Sequence, residues 1–149
     1  IDVRLLSEAN SLCVVPVDHP LAQKQVIHAS DLKGEAFISF SNDTLYRIRV
    51  DRVFDELGIV RKMRIETRTT QVACNLVAEG AGVSIVGSWD VAGANRADIC
   101  LRDFEPAIPI AIGALIPARK ASSRRVEMFV DVLTRTYNDS LLSHKMAKV

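Results

Sequence analysis

Several features are scarce in this sequence of 149 residues, and each scarcity excludes a class of protein. Nineteen basic and eighteen acidic residues leave a net charge of +1, so no global field recruits nucleic acid or an anionic membrane. No apolar run approaches the roughly 20 residues that a membrane-spanning helix needs. Seven glycines and five prolines are too few for a fibrous or disordered chain. These exclusions leave an ordinary globular protein, and its length suits one domain or one and a half domains.

Cysteine is also scarce. Cys13, Cys74 and Cys100 are odd in number, widely spaced and set among apolar neighbours. Neither a C-x-x-C pair nor a histidine at ligand spacing accompanies them, so buried thiols are favoured over a disulfide or a metal site. We therefore predict a reducing compartment, no metal and no cofactor.

The most informative stretch is a strand, helix and strand unit. Residues 63–66 read as a strand, residues 67–70 as a hydroxyl-rich turn, residues 71–79 as a helix and residues 83–86 as a second strand. The predicted buried stripe of the helix comprises Val72, Ala73, Leu76 and Val77. Gly80 and Gly82 follow the helix, whereas a dinucleotide-binding loop needs its glycines before one, so they read as a helix stop.

A second polar turn also lies between a strand and a helix, as the turn at residues 67–70 does. Residues 36–40 read as a strand, residues 41–44 all favour helix starts, and residues 44–57 form an amphipathic helix that Gly58 ends. Its predicted inner face comprises Tyr46, Val50, Val53, Phe54 and Leu57. Arg47, Arg49 and Arg52 fall off that face and are interpreted as a solvated or subunit-facing surface rather than an anion site.

Further strands at residues 12–17, 99–104 and 109–116, and a closing amphipathic helix ending at Tyr137, complete an α/β pattern with a mainly parallel sheet. Ligands of such sheets bind outside the carboxyl ends of the strands. The two polar turns would then border one crevice, where paired helix N-termini suit a carboxylate or another small anion.

These pieces also carry a resemblance to a known family. The run HPLA at residues 19–22 is followed in order by DLKGEAFISF, a helix ending FDELGI, the motif NLVAEGAGVSIV and a closing amphipathic helix. This ordered set resembles the effector-binding domain of LysR-type transcriptional regulators over residues 12–137. Within that family, the pattern resembles the octopine and nopaline regulators of opine catabolism.

The resemblance implies a type II periplasmic-binding-protein-like fold, with two Rossmann-like subdomains around a cleft. Residues 1–19 would form the crossover and the end of the first subdomain, residues 20–97 the second subdomain, residues 98–137 the return to the first, and residues 138–149 a flexible tail. The first subdomain would be incomplete here, because the usual opening strands and the helix-turn-helix are missing. Since Ile1 opens directly into a strand pattern, we expect the chain to be part of a longer protein.

The same resemblance implies the functional residues. The effector would contact one set of turn residues, namely Ser41, Asn42, Asp43, Thr44, Thr67, Thr69, Thr70, Gly87 and Trp89. A homodimer or tetramer would form through the helix at residues 44–57, with Tyr46, Ile48, Arg49 and Arg52 as candidates for the interface.

We therefore expect the ligand-sensing domain of a bacterial, cytoplasmic regulator that binds an amino-acid-like or opine-like carboxylate and reaches DNA only through an absent N-terminal domain. The alternative is an extracytoplasmic solute-binding receptor of the same fold. An enzyme ranks last, because Asp18, His19, Glu66 and Asp90 form no recognisable set of acid, base and nucleophile.

Overall fold

The computed structural model describes residues 1–91, 97–117 and 123–146, which divide into two compact units. The first unit comprises Ile1–Ala9 and Pro109–Val149, and the second comprises Asn10–Ile108. These limits differ from the subdomain limits expected at residues 19 and 97. The reason lies in strand pairing. The strand at Leu12–Pro16 hydrogen-bonds to the strand at Ser84–Val86, and the strand at Ile99–Glu105 hydrogen-bonds to the strand at Val26–His28, so both join strands of the second unit.

The first unit combines a strand pair with one long helix. Strand β1 (Asp2–Asn10) pairs with strand β8 (Pro109–Ile116), and helix α3 spans Arg124–Met146. The Arg4 guanidinium binds the Glu127 carboxylate with two hydrogen bonds, one of 2.7 Å between Nη2 and Oε1. Ser7 Oγ donates to Asn138 Oδ1 at 2.5 Å.

Helix α3 corrects one expectation about the C-terminal tail. The helix was predicted to end at Tyr137, with a frayed tail beyond it, but it continues to Met146. Residues 138–146 contain neither glycine nor proline, so no local signal stops the helix. Residues 147–149 of the predicted tail lie outside the described part of the chain.

The described residues of the second unit form the strands β2 (Leu12–Pro16), β3 (Val26–His28), β4 (Ala36–Phe40), β5 (Lys62–Thr67), β6 (Ser84–Val86) and β7 (Ile99–Glu105). They build a mixed sheet in the order β5-β4-β6-β2-β7-β3. Strand β4 is parallel to β5, and a parallel bridge between Phe37 and Val83 joins β4 to the start of β6. Strand β2 is antiparallel to both β6 and β7, while β7 is parallel to β3. Among the strands described in this unit, β2 therefore opposes the direction of the other five.

Two helices cover opposite faces of this sheet. Helix α1 (Leu45–Glu56) follows β4, and helix α2 (Thr70–Ala78) follows β5. Alternation along β2 divides its side chains between the two faces: Cys13 and Val15 pack with α1, whereas Leu12 and Val14 pack with α2. The central strands β2, β4 and β6 are therefore buried on both faces, which explains why their sequences are mostly apolar.

Helix α1 meets the sheet through aromatic side chains. The rings of Phe37 and Phe54 lie edge to face with centroids 5.9 Å apart, and Phe54 stacks on Phe104 at 6.1 Å. The predicted inner face of α1 is correct for Val50 and Phe54, which are buried, but Leu57 is half exposed.

The stripe predicted for α2 is wrong at one position. Val72 is 45% exposed, while Cys74 is buried beside Ala73 and Val77. Val72 lies in the first turn of α2, directly after the polar turn that ends at the cap residue Thr69. Cys13 and Cys74 are buried and Cys100 is half-buried, and none of the three forms a disulfide.

Within the described ranges, every helix is too short or too polar to span a lipid bilayer. In the same ranges, no group of three or more His, Cys, Asp or Glu side chains could hold a metal ion.

Candidate functional site

The two polar turns lie side by side at the carboxyl edge of the sheet. Because β4 and β5 are parallel neighbours, the last residues of the two strands, Phe40 and Thr67, stand opposite each other. The Ser41 amide donates to the Thr67 carbonyl at 3.0 Å, so hydrogen bonding continues from the strands into the turns. Residues separated by some 26 positions in the sequence thus form one continuous edge.

Each turn ends in a capped helix. Thr44 Oγ1 accepts from the Arg47 amide at 3.2 Å and donates to the Ser41 carbonyl at 3.0 Å. Thr69 Oγ1 accepts from the Val72 amide at 3.4 Å, which caps α2. The N-terminal amides of both helices face this edge, and the helix dipoles make it favourable for negative charge.

A third turn adjoins α2 at the end of β6. Gly87 is buried and Trp89 is half-buried, and Trp89 belongs to the 3₁₀ turn Ser88–Val91. Thr70 Oγ1, in the first turn of α2, donates to Asp90 Oδ2 at 3.1 Å. This contact ties the second turn to the third.

The edge presents both polar and apolar groups to solvent. Asn42, Asp43 and Thr69 are exposed, whereas Ser41, Thr44, Thr67 and Thr70 are half-buried. Two apolar side chains stand in the first turns of the helices, Leu45 at 77% exposure and Val72 at 45%. Such an edge can hydrogen-bond an anion and also contact a hydrocarbon group.

The four residues expected at a subunit interface differ in their surroundings. The Tyr46 ring packs edge to face on Phe40 with centroids 5.4 Å apart, and burial of its hydroxyl raises the pKa of the phenol. Tyr46 therefore belongs to the interior of the second unit. Ile48 is 49% exposed, and Arg49 and Arg52 are exposed.

Arg47 is the residue at this edge that sequence reasoning interpreted differently. Its side chain is only 12% exposed, although it was assigned to a solvated or subunit-facing surface. Nη1 donates to the Phe40 carbonyl at 2.7 Å and to Glu66 Oε1 at 3.0 Å, and Nε donates to Asp51 Oδ1 at 2.7 Å. The spacing of Arg47 and Asp51, four residues apart on a helix, was the available signal.

Asp90 was likewise weighed only as a catalytic group, and its place beside Thr70 was not anticipated. No local pattern links the two, because the contact joins α2 to a turn twenty residues later.

A separate groove of about 580 Å³ lies beside the last residues of β3 and β7. His28 Nδ1 and Glu105 Oε2 approach to 3.5 Å beside it, and both side chains are exposed. The rest of its lining is mostly apolar: Ala29, Ser30, Leu57, Ile59, Pro106 and Ala107.

The mixed sheet with one opposed strand, the helices on both faces and the polar turns at the strand ends define a type II periplasmic-binding-protein-like fold. Residues 1–138 match the family described as the LysR substrate binding domain, and the chain belongs to that family.

The chain spans less than half the length of two curated relatives that it matches. It is 32% identical to the transcriptional activator protein LysR of Escherichia coli over 83% of its length, and 31% identical to the regulatory protein NocR of Agrobacterium tumefaciens over 80%. In each comparison it spans 40% of the relative.

Solved structures show the same fold. The regulatory domain of CcmR from Synechocystis, in complex with 2-PG, aligns with a TM-score of 0.73 at 21% identity, covering 91% of this chain and 66% of that one. The BenM effector-binding domain with benzoate aligns with a TM-score of 0.69 at 21% identity, covering 92% and 63%.

Proposed function

We propose that the chain is the ligand-sensing part of a LysR-type transcriptional regulator and binds a small carboxylate-bearing effector at the edge formed by the three turns. The observation that carries the proposal is the junction of the first two turns through the 3.0 Å bond from the Ser41 amide to the Thr67 carbonyl. It aligns two helix N-termini beside each other, and such pairs favour a bound anion.

The chemistry of the edge suggests the class of effector. Hydroxyl and amide donors of residues 41–44 and 67–70 would bind a carboxylate, while Leu45 and Val72 would contact its apolar part. Asp90 adds an acceptor that suits an amino group. An amino acid or an opine carries all three features, and the complexes of related folds with benzoate and 2-PG make a small anion a consistent choice.

The mechanism would be a shift between two conformations. An effector can bias them only by its difference in affinity for each, and the bias would reach a DNA-binding domain in the parent protein. The protein would act in the cytoplasm and would not be an enzyme. Family membership favours this regulator over the alternative, an extracytoplasmic receptor that delivers its ligand to a transporter.

A thermal-shift screen tests the proposal on the chain itself. The compounds are L-lysine, L-octopine, nopaline, shikimate and benzoate. At a concentration about 100-fold above Kd, a true effector should stabilise the chain by about 2.7 kcal/mol. For a chain of this size, this corresponds to a rise in Tm of about 5 to 10 °C.

Variants locate the binding. Ser41→Ala and Thr69→Ala should each weaken binding by about 1 kcal/mol, roughly fivefold in Kd, if each hydroxyl donates one hydrogen bond. Thr69→Ser keeps the hydroxyl and Ser30→Ala lies away from the edge, so both should bind like the wild type. Unchanged affinity in both alanine variants would remove these turns from the site.

We further propose that the chain dimerises through the outer face of α1, around Ile48, Arg49 and Arg52. Ile48→Asp would place a charge in that contact, and sedimentation velocity should then show monomer where the wild-type chain shows dimer. A wild-type chain that is monomeric at 100 µM, a concentration on the order of that used for weak interfaces, would refute this contact.

A further inference from the structure

The contacts of Arg47 connect the two polar turns, residues 41–44 and 67–70. Its guanidinium donates to the carbonyl of Phe40, the last residue of β4 and the one before the first turn. The same Nη1 donates to Glu66, which lies on β5 just before the second turn. One side chain therefore reaches the end of both strands from which the turns begin.

Arg47 also holds the first turn from inside. Its own amide donates to Thr44 Oγ1 at 3.2 Å, and Thr44 Oγ1 in turn donates to the Ser41 carbonyl at 3.0 Å. Backbone and side chain of one residue thus support residues 40–44 at both ends.

The guanidinium is anchored to α1 as well. Asp51 accepts from Arg47 Nε at 2.7 and 2.8 Å and also binds Arg61. The Arg61 guanidinium lies over the rings of Phe54 and Phe37, 4.5 and 5.0 Å from their centroids. The chain of charges from Glu66 through Arg47 and Asp51 to Arg61 therefore ends in the packed core below α1.

We infer that Arg47 is a positioning residue that fixes the first effector turn against the second and thereby sets the affinity of the site. This inference rests on the proposed function for the identity of the site, but the contacts it uses are all within the second unit. Arg47 itself, at 12% exposure, serves the effector through the turns that it holds.

Amide hydrogen exchange of the ligand-free 149-residue chain tests the positioning role. In Arg47→Met, the Ser41 amide, which donates across to Thr67, should exchange about tenfold faster because charge-assisted bonds that close the turn are lost. The Val83 amide, which donates to Ala36 at the opposite end of β4, should exchange at its wild-type rate.

Two further variants separate local positioning from general stability. Arg47→Lys keeps the charge with fewer donors and should restore part of the protection at Ser41. Glu56→Gln removes an exposed charge at the far end of the same helix and should change neither amide. Equal acceleration at Ser41 and Val83 in Arg47→Met would show a global effect and overturn the inference, as would unchanged exchange at Ser41.

Glu66→Gln tests the link between the turns without touching Arg47 or the cap of α1. It removes the charged partner on β5 and leaves the bond to the Phe40 carbonyl, so it should accelerate exchange at Ser41 by a smaller factor than Arg47→Met. An acceleration as large as that of Arg47→Met would contradict the role given to the Phe40 contact.

Binding then connects positioning to the effector. For the compounds in the thermal-shift screen, Arg47→Met should raise Kd by about tenfold and Glu56→Gln should leave it unchanged. If the wild-type chain binds none of them, the proposed function fails while the exchange rates still decide the role of Arg47. If the wild type binds and Arg47→Met binds equally well, the inference fails and the proposed function stands.

Discussion

Gly82 lies where helix α2 gives way to strand β6, and it is the position at which one added methyl group should do most harm. A Cβ on Gly82 would lie 2.2 Å from the carbonyl oxygen of Ala36 and 2.9 Å from its carbonyl carbon. That carbonyl accepts the Val83 amide at 2.8 Å, so the clash falls on the bond that joins β4 to β6. The backbone of Ala36 is held in strand β4 and cannot move aside as a flexible side chain would.

The magnitude follows from two contributions. Forcing extra atoms into a packed site costs about 1 to 3 kcal/mol, and the upper end applies to a backbone contact. The φ of 155° at Gly82 is also unfavourable for a residue with a side chain, by about 1 kcal/mol. Gly82→Ala should therefore lower the free energy of unfolding by about 4 kcal/mol, which corresponds to a fall in Tm of about 12 °C.

Gly80→Ala is the matched control. Gly80 has a φ of 73°, but an added Cβ would meet nothing within 4 Å, so only the backbone conformation is penalised. We expect a loss of about 1 kcal/mol, partly offset by the lower entropy of the unfolded chain. Urea unfolding followed by circular dichroism measures both variants. Equal losses in the two would refute the close approach of Gly82 to Ala36.

Two further predictions concern titration and thiol chemistry. Lys24 donates a hydrogen bond of 2.7 Å to Asp31, and the His28 amide donates another, so the pKa of Asp31 lies below its ordinary value. Ionised Asp31 therefore stabilises the fold at any pH above its unfolded pKa. This stabilisation is lost as the pH falls through the lower pKa of the folded state. Asp31→Asn should therefore lower Tm at pH 7 and flatten the fall of Tm between about pH 5 and pH 3, and a parallel pH profile would contradict this. Burial raises the pKa of the Cys13 thiol, so a thiol reagent should label half-buried Cys100 first and Cys13 only on unfolding; labelling of Cys13 in the folded chain would be inconsistent with the structure.

Local sequence patterns were sufficient for most elements of the second unit. Apolar residues at helical spacing predicted α1 and α2 to within a few residues, and the apolar runs at residues 36–40 and 83–86 correspond to β4 and β6. The helix caps were also predictable, since Thr44 and Thr69 cap their helices and threonine is a residue type favoured at that position. These features depend on neighbours within a few residues, which is the range that a sequence displays directly.

The predictions that were wrong concern side chains whose burial depends on residues far away in the sequence. Val72 has the helical spacing of a buried residue but is 45% exposed in the first turn of α2. Arg47 is of a residue type usually found at the surface, but its side chain donates to the carbonyl of a strand residue and to two carboxylates. Burial of a side chain depends on what lies opposite it, and that partner is remote in sequence.

The sequence alone therefore determined the elements of the fold, the polar character of the turns at residues 41–44 and 67–70, and the family to which the order of motifs belongs. Only the tertiary structure decided that β2 opposes its neighbours, that the Ser41 amide meets the Thr67 carbonyl, and that Arg47 binds the ends of two strands. Helix and strand periods relate a residue to its own element, whereas the order and direction of strands are set by the packing of distant segments around a shared core.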